Sequence, residues 1–346
     1  MQMLYDKLPD VLPGWYAEHK RDLPWRRDRE PYHIWLSEIM LQQTRVEAVR
    51  GYYNRFLAAL PTIADLAAAD PDALNKLWEG LGYYSRVRNI QKAAKIISEE
   101  HLGVFPTDYS SVRALPGIGD YTAGAILSIC FEQPTPAVDG NVLRVVSRVC
   151  EDFSSITDPK VKQAHRDRLA EVYPAGQCGV FTQSLMELGA TICVPNGAPR
   201  CGECPCSGFC QAHAHGTMEQ LPVKAAKKAK RLERKTVFLL QCGERWAVIK
   251  RPAKGLLAGL WSFPNVEGKL GAQAALDVAA GWGVHPTDIL KSVEKTHIFT
   301  HVQWDMRGYH LRCGASPGLF TWVTREDLED RFALPTAFRQ FWEPDM

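Results

Sequence analysis

Five of the ten cysteines in this 346-residue chain fall between Cys193 and Cys210. Four of them are spaced Cys193-x7-Cys201-x2-Cys204-x5-Cys210, with Cys206 as an extra thiol in the same stretch. Thiolates crowded in this way can surround one metal centre, whereas cysteines kept for packing have no reason to cluster. Zn²⁺ and a [4Fe–4S] cluster both accept four sulfurs in tetrahedral outline, so spacing leaves the metal open. In a zinc site His213 or His215 could replace one sulfur. The remaining cysteines are scattered, and the N-terminus Met-Gln-Met-Leu-Tyr-Asp-Lys lacks the apolar core of an export signal. A reduced, cytoplasmic protein is therefore expected.

Three further stretches carry candidate chemistry. In Leu115-Pro-Gly-Ile-Gly-Asp-Tyr-Thr, Pro116, Gly117 and Gly119 make a tight turn before an apolar helix. Its backbone N–H groups can face a phosphate, although glycine turns before helices are common without any ligand. In Trp35-Leu-Ser-Glu38-Ile-Met-Leu-Gln-Gln43-Thr44-Arg45, Glu38 shares a helical face with Ile34, Trp35, Ile39 and Gln42. A carboxyl among apolar neighbours has a raised pKa and can act as an acid near neutral pH, unless it lies at the exposed edge of the stripe. In Val138-Asp139-Gly-Asn141-Val-Leu-Arg, Asp139 can cap a helix beginning near Asn141 or act as a second carboxylate.

The elements that must position these residues come in two kinds. From about residue 4 to 220, apolar residues recur three or four apart, for instance at Leu66 to Leu77, Val87 to Ile97, Tyr121 to Ile129 and Val142 to Val149. Pro61, Pro71, Gly80–Gly82, Pro106 and Pro134–Pro136 separate them. Beyond a basic run the character changes. Thr236–Gln241 and Arg245–Lys250 read as strands joined through Cys242-Gly-Glu, Thr296–Trp304 and Gly308–Arg312 as further strands, and Ala272–Ala280 as a helix. Composition, 46% hydrophobic and 23% charged, excludes wholesale disorder. The longest uncharged stretch, the 15 residues Val172–Met186, is too short and polar to span a bilayer. Net charge is only +2, but seven basic residues (Lys224, Lys227, Lys228, Lys230, Arg231, Arg234, Lys235) crowd between Leu221 and Lys235 against Glu233 alone. That run suits a solvated linker, with or without phosphate contacts.

Taken in order, these motifs resemble the helix–hairpin–helix DNA glycosylases of the endonuclease III superfamily. Within it they are most similar to the adenine DNA glycosylases, the MutY family. The likeness rests on Leu23-Pro-Trp-Arg26, Ser37–Arg45, Trp78-Glu-Gly-Leu-Gly-Tyr-Tyr-Ser-Arg86, Ala137-Val-Asp-Gly-Asn-Val-Leu-Arg144 and Met186–Cys193, and it covers nearly the whole chain. Gly255-Leu-Leu-Ala-Gly-Leu-Trp-Ser-Phe-Pro-Asn265 is similar to that family's MutT-like (Nudix-fold) domain. Helix Ala272–Ala280 offers only Asp277 where a working Nudix hydrolase holds a run of glutamates.

The resemblance implies a multi-domain chain, an all-α helix–hairpin–helix glycosylase with a cluster subdomain followed by an α/β domain. Residues 1–220 would form the glycosylase, with 25–130 as its six-helix part and 1–24 with 131–220 as the cluster subdomain. Residues 221–235 would link it to a lesion-recognition domain over 236–346. It implies a [4Fe–4S] cluster on Cys193, Cys201, Cys204 and Cys210, although the first spacing is seven where six is expected. It assigns Glu38 to protonating adenine at N7 and handling water, and Asp139 to the sugar cation, with Tyr121 and Asn141 supporting the pair. Arg26 and Gln183 would line an adenine pocket entered by base flipping. Phe299-Thr300-His301 would reach an 8-oxoguanine opposite the adenine, with Gln43, Thr44, Leu81 and Tyr83 on the same side as wedge and contact residues, the alternative for an apolar residue such as Leu81 being ordinary core. Relatives that also cut the strand carry a lysine where Tyr121 stands, which implies a monofunctional enzyme. The expected partner is duplex DNA with adenine·8-oxoguanine mispairs, acted on by a monomer in base excision repair, at the nucleoid if the source is bacterial and without a membrane. Two rivals are a bifunctional pyrimidine-lesion glycosylase-lyase, opposed by Tyr121 and the C-terminal part, and an iron–sulfur DNA-binding protein without turnover, opposed by the presence of both Glu38 and Asp139.

Overall fold

A computed structural model describes residues 2–226 and 229–342, so Lys227 and Lys228 of the basic run lie outside the described residues. The chain forms two compact units, Met1–Ala68 with Asn89–Ala226, and Ala69–Arg88 with Lys227–Met346. No helix among the described residues is long and apolar enough to cross a membrane.

The first unit is helical. Helix Pro31–Leu41 starts on a proline, whose fixed φ suits a first turn, and buries eight residues on all sides, including Trp35, Glu38 and Met40. Gln42, expected on the same helical face, lies one residue past the helix end. Helix Asp120–Phe131 is buried from Thr122 to Ile129, and helix Gly140–Cys150 from Val142 to Val149. The Leu66–Leu77 stretch is two helices, Ile63–Ala68 in this unit and Pro71–Leu77 in the second, because Asp70 caps the latter by accepting from the Asp72 and Ala73 amides. Between helices Tyr109–Ala114 and Asp120–Phe131 the hairpin turns on Gly117, at φ 82°. A Cβ there would also stand 2.8 Å from Asn89 Cβ, so glycine is required twice over.

The second unit is built on a seven-stranded sheet: β1 (Arg231–Cys242), β2 (Arg245–Lys250), β3 (Trp261–Ser262), β4 (Asn265–Glu267), β5 (Pro286–Ile298), β6 (Val302–Cys313) and β7 (Thr321–Thr324). The order is β3-β2-β1-β6-β5, with β4 also on β1 and β7 on β2. β1 and β6 run parallel from Arg231↔Val302 to Gln241↔Arg312. Strand alternation sends Val237 and Leu239 to a core with Trp304, Phe338 and Phe341, and Phe238 and Leu240 to a second core with Ala275 and Ala279 of helix Ala272–Gly281. Both faces are covered.

Two strand readings change. β1 begins at Arg231, not Thr236, so the last part of the basic run is sheet rather than linker. Pairing with β6 extends it, and Lys235 is buried, bonded to Glu267 and set 4.9 Å over the Trp304 ring. The Thr296–Trp304 stretch is the end of β5, a turn and the start of β6, closed by the Phe299 N–H donating to the Val302 carbonyl at 2.8 Å. No glycine or proline marks that turn, so the run reads as continuous.

Candidate active site

A cavity of about 780 Å³ in the first unit is lined by Glu38, Asp139, Tyr121, Asn141, Arg26, Gln183, Gln43 and Thr44. Residues distant in sequence thus share one space large enough for a nucleobase.

Glu38 projects from the buried helix Pro31–Leu41, and burial is the main cause that pushes its carboxyl up to about 7. The nearby Asp139 charge adds to the rise, while the Tyr121 hydroxyl, donating to Oε2 at 2.5 Å, and Arg26 oppose it. Tyr121 also lies 3.7 Å from Met186 Sδ. At neutral pH Glu38 therefore holds a transferable proton. Asp139 is raised by burial as well, but its oxygens accept the Asn141 amide, the Val142 amide and Asn141 Nδ2 at 2.8, 2.8 and 2.7 Å. The three donors and the helix N-terminus oppose the rise that burial causes. Asp139 caps helix Gly140–Cys150 and at the same time lines the cavity. Asn141 is held in turn by Arg144, whose Nη2 donates to Asn141 Oδ1 at 2.9 Å and to the Gly189 carbonyl at 2.7 Å.

The opposite wall was only partly legible. Arg26 donates to Glu187 Oε2 at 2.7 Å, and Arg21 holds both oxygens of the same carboxylate, at 2.7 and 2.9 Å. Glu187 is fully buried, and despite that burial the two guanidiniums bring its carboxyl down to about 2. Gln183 Oε1 accepts from the Tyr16 hydroxyl at 3.0 Å. Arg21, Glu187 and Trp25 line the cavity and were missed; the signal for Glu187 was a lone acid in the apolar stretch Met186–Ile192, the argument already applied to Glu38.

Gly117 and Gly119 are not on this cavity. Gly119 caps helix Asp120–Phe131, and the adjoining Asp120 carboxylate is taken by Arg113 at 2.7 Å and the Tyr109 hydroxyl at 2.9 Å.

The second unit brings together a different group. Tyr83, 47% exposed, has its hydroxyl 2.9 Å from Thr300 Oγ1, and His301 beside it is exposed. Phe299 turns inward onto Trp304. Leu81, expected as a wedge, is 6% exposed, so in this conformation the projecting side chain of the turn is Tyr83.

Cys193, Cys201, Cys204, Cys206 and Cys210 surround one pocket of the first unit, together with Arg148 and His213. Arg148 donates to Cys193 Sγ at 3.3 Å and Arg144 to the Cys193 carbonyl at 2.7 Å, and this positive charge suits thiolates. His215 Nδ1 pairs with Glu151 at 2.6 Å, and His215, unlike His213, does not line the pocket. Among the described residues no three His, Cys, Asp or Glu side chains converge closely enough for a single ion.

Residues 36–171 match the family model of the HhH-GPD superfamily base excision DNA repair proteins, and residues 236–344 that of the NUDIX domain. The fold of the first unit is similar to that of a thermostable thymine-DNA glycosylase, at 25% identity and TM-score 0.56 over 62% of this chain and 98% of that one. It is also similar to an endonuclease III solved with DNA, at 22% identity and TM-score 0.52 over 61% and 97%. In sequence the chain is 35% identical to the adenine DNA glycosylase of Rattus norvegicus over 97% of its own length and 78% of the relative's. The Homo sapiens adenine DNA glycosylase is 34% identical, over 95% and 72%. With both parts matched and the likeness running nearly end to end, the chain belongs to the adenine DNA glycosylase family.

Proposed function

We propose that this enzyme excises adenine paired with 8-oxoguanine or guanine in duplex DNA, by hydrolysis of the N-glycosidic bond, in base excision repair. The observation that carries the reading is the pair of carboxyls in one cavity, Glu38 pushed up to about 7 by burial and Asp139 held by three hydrogen-bond donors. Purine release has two difficulties, a poor leaving group and a sugar that becomes cationic. Glu38 delivers its proton to N7 of the flipped adenine, the C1′–N9 electron pair leaves with the base, and Asp139 faces the oxocarbenium ion. Water adds at C1′ and its proton returns to Glu38. Arg26, fixed by Glu187, and Gln183 border the base, while Asn141 and Tyr121 orient the carboxyls. Tyr121 offers no amine for a Schiff base, so the enzyme is monofunctional. Gly117 and Gly119 of the hairpin approach the DNA backbone, and Gln43 and Thr44 border the opening where the duplex is pulled apart.

Cys193, Cys201, Cys204 and Cys210 would hold a [4Fe–4S] cluster, which cross-links their loop and supplies no acid or nucleophile. The four thiols share one pocket with Arg148, whose charge suits thiolate ligands. Purified protein is expected to carry about four irons and about four acid-labile sulfides per chain, and Cys201→Ser to lose most of both. Stoichiometric zinc instead would overturn this assignment.

Adenine stands opposite thymine throughout normal DNA, so specificity must come from the partner base. We assign that reading to Tyr83, Thr300 and the neighbouring Phe299 and His301. A chain ending at Lys230 lacks Thr300 but keeps every lining residue of the catalytic cavity. It should still excise adenine, yet its preference for 8-oxoguanine over guanine opposite should fall roughly 5- to 150-fold, the worth of one to a few base contacts. Single-turnover excision from duplexes differing only in the opposite base measures this; an unchanged ratio would place partner reading in Gln43, Thr44 and Tyr83 alone.

A further inference from the structure

The turn that carries Tyr83 is an unusual piece of backbone. Gly80, Gly82 and Tyr83 take φ values of 96°, 69° and 47°, and the last is an aromatic residue in the left-handed region. Such a conformation persists only when the surroundings hold it. The holder is Arg86, the second residue of the following helix Ser85–Glu100 and 9% exposed. Its Nη2 donates to the Leu81 carbonyl at 2.9 Å and to the Gly82 carbonyl at 3.1 Å, and its backbone N–H donates to the Tyr83 carbonyl at 2.8 Å. The guanidinium sits 5.3 Å from the Trp78 ring centre and 5.5 Å from that of Tyr83. Trp78 closes the arrangement by donating Nε1 to the same Gly82 carbonyl at 3.0 Å.

We propose that Arg86 is a positioning residue for partner-base specificity: clamped between two rings and two carbonyls, it keeps the Tyr83 phenol at Thr300. This rests on the reading of Tyr83 and Thr300 as contacts to the base opposite adenine. Burial lowers the guanidinium to about 10, so it remains charged at neutral pH and keeps its pull on both rings. Lysine cannot take over the role, because a single ammonium has neither the planar fork nor the stacking face.

The test uses Arg86→Lys, Tyr83→Phe and the double variant in the full chain. In single-turnover excision, Arg86→Lys should slow release opposite 8-oxoguanine roughly tenfold more than release opposite guanine, within the range of a lost base contact. Adding Tyr83→Phe should then change that ratio less than about twofold, because the hydroxyl it removes is no longer held in place. Equal slowing on both duplexes would show a general structural role and overturn the proposal. Melting temperatures of the same four proteins separate this outcome from failure of the underlying reading. If the unmodified enzyme does not distinguish the two duplexes, partner reading by this turn is wrong. The clamp itself is then supported by non-additive melting losses and overturned by additive ones.

Discussion

Glu38→Gln is expected to bind duplex DNA as the unmodified enzyme does and to release adenine at least 10²–10⁴-fold more slowly, the usual worth of a general acid. Glutamine keeps the shape and can still accept from Tyr121, so a loss of rate reports the proton and not the packing. The pH dependence gives a second check. With the carboxyl pushed from 4.5 to about 7, the acid form disappears above that pH, and single-turnover release should fall about tenfold per unit in the unmodified enzyme only. Stability should also fall as pH rises, over a lower range. A carboxyl whose folded pKa is raised binds its proton more tightly in the native state, so it costs nothing below about 4.5 and progressively destabilises as pH rises to about 7. The glutamine variant escapes that cost, and at pH 8 it should be the more stable protein, by up to about 3 kcal/mol at ~1.4 kcal/mol per unit. Release within tenfold of the unmodified rate would sink the assignment of Glu38 as the acid.

Asp139→Asn separates two duties that one side chain performs at once. Asparagine caps a helix about as well as aspartate, so the bonds from the Asn141 and Val142 amides survive. The second oxygen is different: it accepts from Asn141 Nδ2, and an amide nitrogen there would meet another donor. That mismatch costs about 1 kcal/mol, which lowers the melting temperature by roughly 1–2 °C in a protein of this size. Excision should collapse far beyond that, by 10²–10³-fold or more, because a neutral amide offers no charge to the sugar cation. Calorimetry and excision rates on one preparation decide the matter. A large melting loss with near-normal turnover would mean that the cap is the whole of its role.

Much of this site was legible because its chemistry forces rare residue choices. An acid inside an apolar helix face and a tight group of cysteines are each conspicuous in one dimension, and they single out Glu38, which lines the cavity, and Cys193–Cys210, which share a second pocket. Asp139 was ambiguous for a physical reason, since the residue that caps the helix is also the residue in the cavity. Arg21 and Glu187 escaped because their pairing spans 166 residues and leaves no local periodicity. In the second unit the strands over Thr236–Lys250 read correctly from alternation, whereas the start of β1 did not. Its charged residues join the sheet through backbone pairing to β6, and Lys235 is buried only because Glu267 and the Trp304 ring receive it.

The division of the chain sets an order on its biosynthesis. Ala69–Arg88 belongs with the C-terminal sheet, where Lys250 holds Asp72 at 2.9 Å and the Leu334 amide donates to Glu79 at 2.8 Å. A ribosome adding roughly 5–20 residues per second reaches those partners about ten seconds or more after Arg88 has emerged. By the end of that interval the segment lies in sequence between two stretches that have both been made, yet its own sheet does not exist. Closing contacts so far apart in sequence is slow. Chaperone demand during expression should therefore track the C-terminal sheet, although the segment that waits for it lies in the first quarter of the chain.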